Sequence, residues 1–333
     1  MNESIREIDI LLRSHINTHK CWQKLSELSP DIAHAATTTL MLPGKRLRPR
    51  LLLLAADGFG ICDVTKLLPL ALALELVHAF VLIHDDLLDN SPLRRNAPTL
   101  SRTADTLFSS APPRSFNGSD VALIIGDLCY TVALEALTEV EAPPHQTLHA
   151  IRLFLDAAQT TAHGALAEIE LARLSPEEID LAQIFDIYRL KTAAYSFALP
   201  LQLAALLTDS LETRAAAINR FADYAGLAFQ LRNDLDPLLL WQSGGPLPDD
   251  IRDNRLTPAL LHIWQSAEPQ QRHHLFKANH STLLHLFHSC GTLLWLRERI
   301  SEFTDNAITA IEPLQLDNRV ATDLAALTNS IAI

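Results

Sequence analysis

The chain has 333 residues, is 48% hydrophobic and 6% aromatic, and carries 10 glycines and a formal net charge of −12. Abundant leucine and alanine with so little glycine favour helices over sheets, and the negative charge argues against a nucleic acid or an anionic membrane surface as partner. Cys21, Cys62, Cys129 and Cys290 lie far apart with no paired spacing, which reads as free thiols in a reducing, cytoplasmic compartment.

The first stretch, MNESIREIDILLRSH, has the pattern of an amphipathic helix and lacks the layout of a signal peptide. Apolar residues then recur at three- and four-residue spacing, without strand alternation. The spacing predicts helices over Ser4–His19, Pro30–Met41, Leu47–Gly58, Val64–Asn90, Val121–Thr138, His145–Leu174, Glu177–Leu207, Leu211–Leu240 and Asp249–Gln265, with more to the end. Ser175-Pro176-Glu177-Glu178 is a capping signature, with serine at the cap, proline in the first turn and glutamate at the reciprocal position. Between Ser91 and Asp120 the composition turns to Pro, Ser, Asn and Arg, which predicts a long surface loop, and Gln242–Pro248 predicts a second. Neither separates flanks of different composition, so one all-helical domain spanning residues 1–333 is the economical reading. The most apolar run, Leu67 to Ile83, contains Glu75 and His78 and ends in aspartates, so no membrane span is expected there.

That run leads into LELVHAFVLIHDDLLDNSPLRRNAPT, which holds Asp85, Asp86, Asp89, Arg94 and Arg95 within eleven residues. On a helix Asp85 and Asp89 lie about 40° apart and His78 about 20° from Asp85, so these side chains share a face. Carboxylates this close repel unless a cation lies between them. Oxygen-only donors suit a hard ion such as magnesium, completed by water and substrate phosphates, and paired arginines suit phosphate. The plainer alternative is a solvated helix end, but such an end does not ordinarily follow LVHAFVLI.

Further clusters have the same character. Gly44-Lys45-Arg46-Leu47-Arg48-Pro49-Arg50 is a basic turn at a helix start, where backbone N–H groups favour anions. A solvated basic cap is the alternative there. Lys191-Thr192 interrupts the apolar IYRLKTAAYSFALPL, where a lysine needs an acidic or phosphate partner or must snorkel to the surface. Gln230, Asn233, Asp234 and Asp236 interrupt a second apolar helix, and Asp249–Arg255 is mixed in sign. The histidines His273, His274, His280, His285 and His288 could seat one zinc ion, although surface or capping roles are the better reading.

Taken together, HDDLLD followed by Arg94-Arg95, GKRLRPR upstream, and KTAAYSF and AFQLRND downstream resemble the trans-prenyl diphosphate synthases, the polyprenyl synthetase family, from Gly44 to Pro258. The resemblance implies an all-α fold of the isoprenoid synthase type I class: a single large helical bundle around a deep central cavity, homodimeric, with two aspartate-rich motifs facing across it. It implies a magnesium-dependent trans-prenyltransferase that condenses isopentenyl diphosphate with an allylic diphosphate, using roughly two to three Mg2+ ions. Asp85 and Asp89 would be direct metal ligands, joined by Asn233 of the second motif, with Asp86 supporting and Asp234 contributing from the second motif. Gly44, Lys45, Arg48, His78 and Arg95 would hold isopentenyl diphosphate. Arg94, Lys191, Thr192 and Gln230 would hold the allylic diphosphate, and Arg255 would stand near it. In such enzymes bulky residues one turn before the first aspartate floor the cavity. Phe80, five residues before Asp85, therefore points to a short product, geranylgeranyl diphosphate first and farnesyl next, with an ordinary core role for Phe80 an equal alternative.

The pattern departs from the family in its second half. Asn233 stands where the second motif has its leading aspartate, Ala165 where a glutamine is usual, Asn254-Arg255 where glycine-lysine is usual, and Asn96 replaces the glycine after the arginine pair. Two alternatives therefore accompany the main reading: a terpene cyclase on the same fold, and a catalytically weak subunit of a heteromeric prenyl synthase.

Overall fold

The computed structural model describes residues 2–61, 63–109, 116–272, 275 and 280–332. They group into two compact units, Met1–Ala56 with Ile61–Ile151 and Asp57–Gly60 with Arg152–Ile333. Both are almost wholly helical, as the three- and four-residue spacing predicts.

In the first unit the helices are α1 (Asn2–Thr18), α2 (Lys20–Leu28), α3 (Pro30–Leu40), α4 (Leu47–Gly58, whose last two residues belong to the second unit), α5 (Leu68–Leu88), α6 (Leu100–Phe108) and α7 (Gly118–Thr138). The long apolar run becomes α5, continuously buried from Leu70 to Val77 and packed chiefly against α7. Asn117 and Asp120 form the reciprocal cap that starts α7. Helix α5 stops at a hydrogen-bonded turn in which Ser91 N–H donates to the Asp86 carbonyl and Asn90 N–H to that of Leu87. Asn90 takes the left-handed conformation (φ 48) that such a stop requires.

In the second unit lie α8 (Pro144–Leu171, from Arg152 onward), α9 (Leu181–Tyr188), a π-helical segment (Arg189–Ala198), α10 (Leu199–Leu207), α11 (Leu211–Gln242), α12 (Asp249–Arg252), α13 (Pro258–Ser266), α14 (Pro269–Arg272), α15 (His280–Ser289), α16 (Thr292–Thr309) and α17 (Asn318–Ala332). Helix α11 is the centre, packed on the π-segment and on α16. A Cβ at Gly226 of α11 would lie 2.5 Å from Ala193 Cβ, so glycine is what lets the two backbones approach.

Several boundaries differ from the sequence expectation. The stretch from Ser91 to Asp120 is not one loop: Leu93–Arg94 pairs antiparallel with Ala97–Pro98, and α6 follows, burying Leu100, Ser101 and Ala104. Polar neighbours masked its short apolar stripe. Most of the SSAPPRS segment lies outside the described residues. Helix α2 was not expected, because its nine residues offer little beyond Trp22 to signal burial. The continuous helix expected over Val64–Asn90 begins with a 3-10 turn (Val64–Leu67) before α5. Ser175 and Glu178 do form the reciprocal cap, but it closes one 3-10 turn, and Asp180 caps α9 anew. The expected Asp249–Gln265 helix breaks at Asp253–Thr257, where Asn254 turns left-handed (φ 55) and Thr257 caps α13. Cys21, Cys129 and Cys290 are free thiols, and Cys62 lies outside the described residues.

Three helical segments, Val64–Leu88, Gly118–Thr138 and Leu181–Leu207, are long and apolar enough to cross a membrane by length and composition.

Candidate active site

In the first unit His78, Asp86, Arg94 and Arg95 line one cavity beside the last turns of α5. The chain leaves Asp89 through the left-handed Asn90, enters the two-strand hairpin, and reverses over Arg95 and Asn96. Both turn residues have positive φ (54 and 62), the geometry of a tight two-residue hairpin loop. Asparagine tolerates that conformation, which explains how Asn96 replaces glycine without altering the turn.

The hairpin brings Arg94 back onto the helix. Its guanidinium donates twice to Asp86 Oδ1, from Nε at 2.8 Å and from Nη2, and Nη2 lies 3.6 Å from Asp85 Oδ2. Asp86 is buried, and burial pushes its carboxyl above the usual range while Arg94 pulls it back. Asp85 and Asp89 are half-buried. Arg95 donates to the carbonyls of Leu42 (3.2 Å) and Pro43 (2.7 Å), tying the hairpin to the basic turn. Gly44 makes room for it, since a Cβ there would sit 2.6 Å from Arg95 Nη1. In that turn Lys45 is exposed and Arg48 buried.

His78 lies one side of the same cluster. Burial, and then the positive charges of Arg48, Arg95, Arg46 and Arg94, hold its imidazole well below the ordinary 6.5, so it is neutral at physiological pH. A cavity of about 50 Å³ is lined by His78, Asp86, Arg94 and Arg95, with Arg46 and Glu75 beside them. Phe80, one turn before Asp85, packs its ring against His84 (4.5 Å between centroids) and against Tyr130 of α7 (5.0 Å).

In the second unit Lys191 lies within the π-helical segment, a geometry that often marks functional positions. Its ammonium pairs with Glu168 of α8, so the acidic partner a lysine among apolar residues requires is present. A hydrogen-bonded chain follows. Thr192 Oγ1 donates to Gln230 Oε1 (3.0 Å), Gln230 Nε2 to Asp234 Oδ1 (3.3 Å), and Tyr188 Oη to Asp234 Oδ2 (2.6 Å). Burial, only partly opposed by the Tyr188 and Gln230 hydrogen bonds, pushes the Asp234 carboxyl up to about 7. Asn233 is exposed and outside this chain, and Asp236 is paired with Arg232 at 2.7 Å. Arg255 follows the left-handed Asn254, with its N–H on the Asp250 carbonyl at 2.8 Å. Of the C-terminal histidines, His273 and His274 and the His280 side chain lie outside the described residues. No group of three metal-binding side chains converges among those described.

Sequence reading missed Asp9, Glu75 and Tyr188 as parts of these networks. Glu75 alone gave a signal, as a carboxylate inside an apolar helix, which demands a cation.

The polyprenyl synthetase family model matches residues 29–282 and so runs through both units. Geranylgeranyl pyrophosphate synthase from Geoglobus acetivorans is 26% identical over 90% of each chain. Octaprenyl diphosphate synthase from Escherichia coli is 26% identical over 81% of this chain and 80% of its own. A crystal structure of geranylgeranyl pyrophosphate synthase from Corynebacterium glutamicum, complexed with isoprenyl diphosphate and magnesium, superposes with a TM-score of 0.87 at 22% identity and covers 98% of each chain. The fold is thus the all-α type I isoprenoid fold, and the chain belongs to the polyprenyl synthetase family of trans-prenyltransferases.

Proposed function

We propose that this enzyme condenses isopentenyl diphosphate with an allylic diphosphate and releases a short all-trans prenyl diphosphate, geranylgeranyl in first place and farnesyl next. The observation that carries the reading is the arrangement at the end of α5, where half-buried Asp85 and Asp89 stand beside a cluster of guanidinium groups around a neutral His78. Such a cluster suits a diphosphate, whose charge it neutralises in a partly dry site. Lys45, Arg48, His78 and Arg95 hold isopentenyl diphosphate, with Gly44 making room for Arg95. Within the first unit we propose Arg94, and within the second Lys191, Thr192 and Gln230, as contacts for the allylic diphosphate, with Asp234 orienting Gln230.

The donor chemistry fits magnesium: half-buried carboxylates at Asp85 and Asp89 suit an ion whose shell is completed by water and phosphate oxygens. Asp85 and Asp89 would hold it, with Asn233 offering a neutral oxygen to a further ion. When bound, magnesium supplies Lewis-acid stabilisation of charge developing on the leaving diphosphate. The arginines and Lys191 stabilise the same charge through hydrogen bonds aimed at phosphate oxygens. Apolar side chains lining the site exclude water from the allylic cation. The paired rings of Phe80 and Tyr130 support a short product by placing bulk one turn before Asp85.

We read the chain as a single soluble, cytoplasmic domain that pairs with a second copy. Burial within the protein of 56%, 50% and 72% of the three most apolar helical windows supports solubility. Leu123 and Ile124, exposed on α7 (50% and 58%), suit an interface between copies.

The test is incubation of the purified full chain with magnesium, isopentenyl diphosphate and each allylic diphosphate in turn, followed by product analysis. Linear products five carbons longer support the reading, and cyclic hydrocarbons overturn it. A second reading, a weak subunit of a heteromeric synthase, draws support from the second motif, where Asn233 is neutral, Asp234 buried and Asp236 paired. Turnover only after addition of a partner chain would favour it.

A further inference from the structure

We infer that Arg46 is a positioning residue of the diphosphate cavity, acting through the Leu42 carbonyl and Arg95 and not on the ligand itself. The inference rests on the diphosphate reading of that cavity. Arg46 is 8% exposed, and each nitrogen of its guanidinium has an acceptor. Nε donates to Asp9 Oδ1 on α1 at 2.7 Å, Nη1 to Glu75 Oε2 on α5 at 2.7 Å, and Nη2 to the Leu42 carbonyl at 3.4 Å. Its backbone is left-handed (φ 45), a conformation that long side chains rarely adopt and that persists only when surrounding contacts enforce it. Here the anchors on α1 and α5 enforce it.

Arg95, also left-handed, donates to the same Leu42 carbonyl. Two guanidinium groups sharing one acceptor repel unless a negative charge lies close. Glu75, with its side chain 3% exposed, supplies that charge. Arg46 therefore fixes the Leu42–Arg46 turn and lets Arg95 sit beside it. Loss of Arg46 leaves a buried carboxylate uncompensated next to the cavity and frees the turn that anchors Arg95. Both effects weaken binding of an anion there, and neither touches Asp85 or Asp89. A purely structural residue would lower all kinetic constants or none. A positioning residue raises one KM.

The test compares the full-length protein with Arg46→Met/Glu75→Met, Arg46→Lys and Asp9→Asn. The double variant replaces a buried ion pair with apolar residues of similar volume, which folds tolerate well. Its KM for isopentenyl diphosphate is expected to rise about tenfold or more, as loss of charge-assisted hydrogen bonds implies. Its kcat and its KM for the allylic diphosphate should change by less than about twofold. Arg46→Lys keeps the charge but not the fork, and should fall between wild type and the double variant. Asp9→Asn changes a half-exposed partner, and should raise the same KM about two- to threefold.

If the double variant does not fold, Asp9→Asn decides. An unchanged isopentenyl diphosphate KM in a folded variant overturns the inference, as does an equal loss in every constant. Calorimetric titration with inorganic pyrophosphate separates this result from the activity. If the wild type makes no prenyl product yet binds pyrophosphate, and the variants bind it more weakly, positioning by Arg46 stands while the prenyltransfer reading falls. Equal pyrophosphate binding by wild type and variants overturns positioning itself.

Discussion

At the end of α5 three aspartates stand beside a cluster of guanidinium groups, whereas on α11 Asp234 and Asp236 are each bonded to a neighbour within the second unit. Arg94, Arg95, Arg46 and Arg48 all act on His78 in the first region. In the second, Asp236 is held by Arg232 and Asp234 by Tyr188 and Gln230. The first region thus gathers four guanidinium groups around His78 beside half-buried Asp85 and Asp89, and the second holds Asp234 and Asp236 in local bonds. Local pairing, and not the number of acidic residues in a motif, sets the charge each region presents to a ligand.

The largest effect expected from this contrast is kinetic. Asp85→Asn or Asp89→Asn should lower kcat/KM by about a thousandfold, the scale of losing a principal transition-state stabiliser, while Asn233→Ala should cost less than about tenfold. Steady-state assays at saturating magnesium check both, and an equal loss at Asn233 would break the comparison.

Gly44→Ala comes next. The three atoms nearest the new methyl all belong to the far end of Arg95, so the melting temperature should hold while Arg95 leaves the Leu42 and Pro43 carbonyls. The KM for isopentenyl diphosphate should rise about tenfold, the scale of a lost charge-assisted hydrogen bond.

Opposite pH slopes should follow in metal-free protein. The Asp234 carboxyl, raised from 3.8 to about 7, binds a proton more tightly folded than unfolded. Its share of stability is therefore present below the ordinary carboxylate range, falls as pH rises toward about 7, and is on the order of a few kcal/mol. His78 is held well below 6.5, so the unfolded chain takes up the proton first and stability falls as pH drops below 6.5. Denaturant titrations of Asp234→Asn and His78→Gln across pH should each flatten one slope and leave the other.

The smallest effect belongs to Asn233→Asp. Restoring a charge at an exposed position should lower the magnesium concentration for half-maximal rate about two- to threefold, in keeping with a solvent-screened carboxylate. A gain of several orders of magnitude would show that the second region, not the first, limits the enzyme.

Much of this was legible without coordinates. The apolar spacing that marks α5, α7 and α11 is local, and the aspartates, arginines and Lys191 stand out against it because polar groups in apolar helices need a reason. The glycine replacements were legible as departures but not as harmless ones. Asn96 and Asn254 both adopt positive φ where glycine is usual, so each turn survives. Helix α6 was hidden because its stripe is short and its neighbours favour turns. The break before α13 was hidden because Asp249–Arg255 carries a single apolar residue, Ile251, too little to show a period.

The sequence alone determined the helical class, the family motifs and which side chains carry charge, since propensity, periodicity and residue chemistry act over a few positions. Only tertiary structure decided how those charges pair: Arg46 with Asp9 and Glu75, Arg94 with Asp86, Lys191 with Glu168, and Tyr188 with Asp234. Except for Arg94 and Asp86, eight residues apart, those partners are distant along the chain. Whether a carboxylate is free to meet a ligand depends on burial and on the cation folded against it, and no local pattern encodes either.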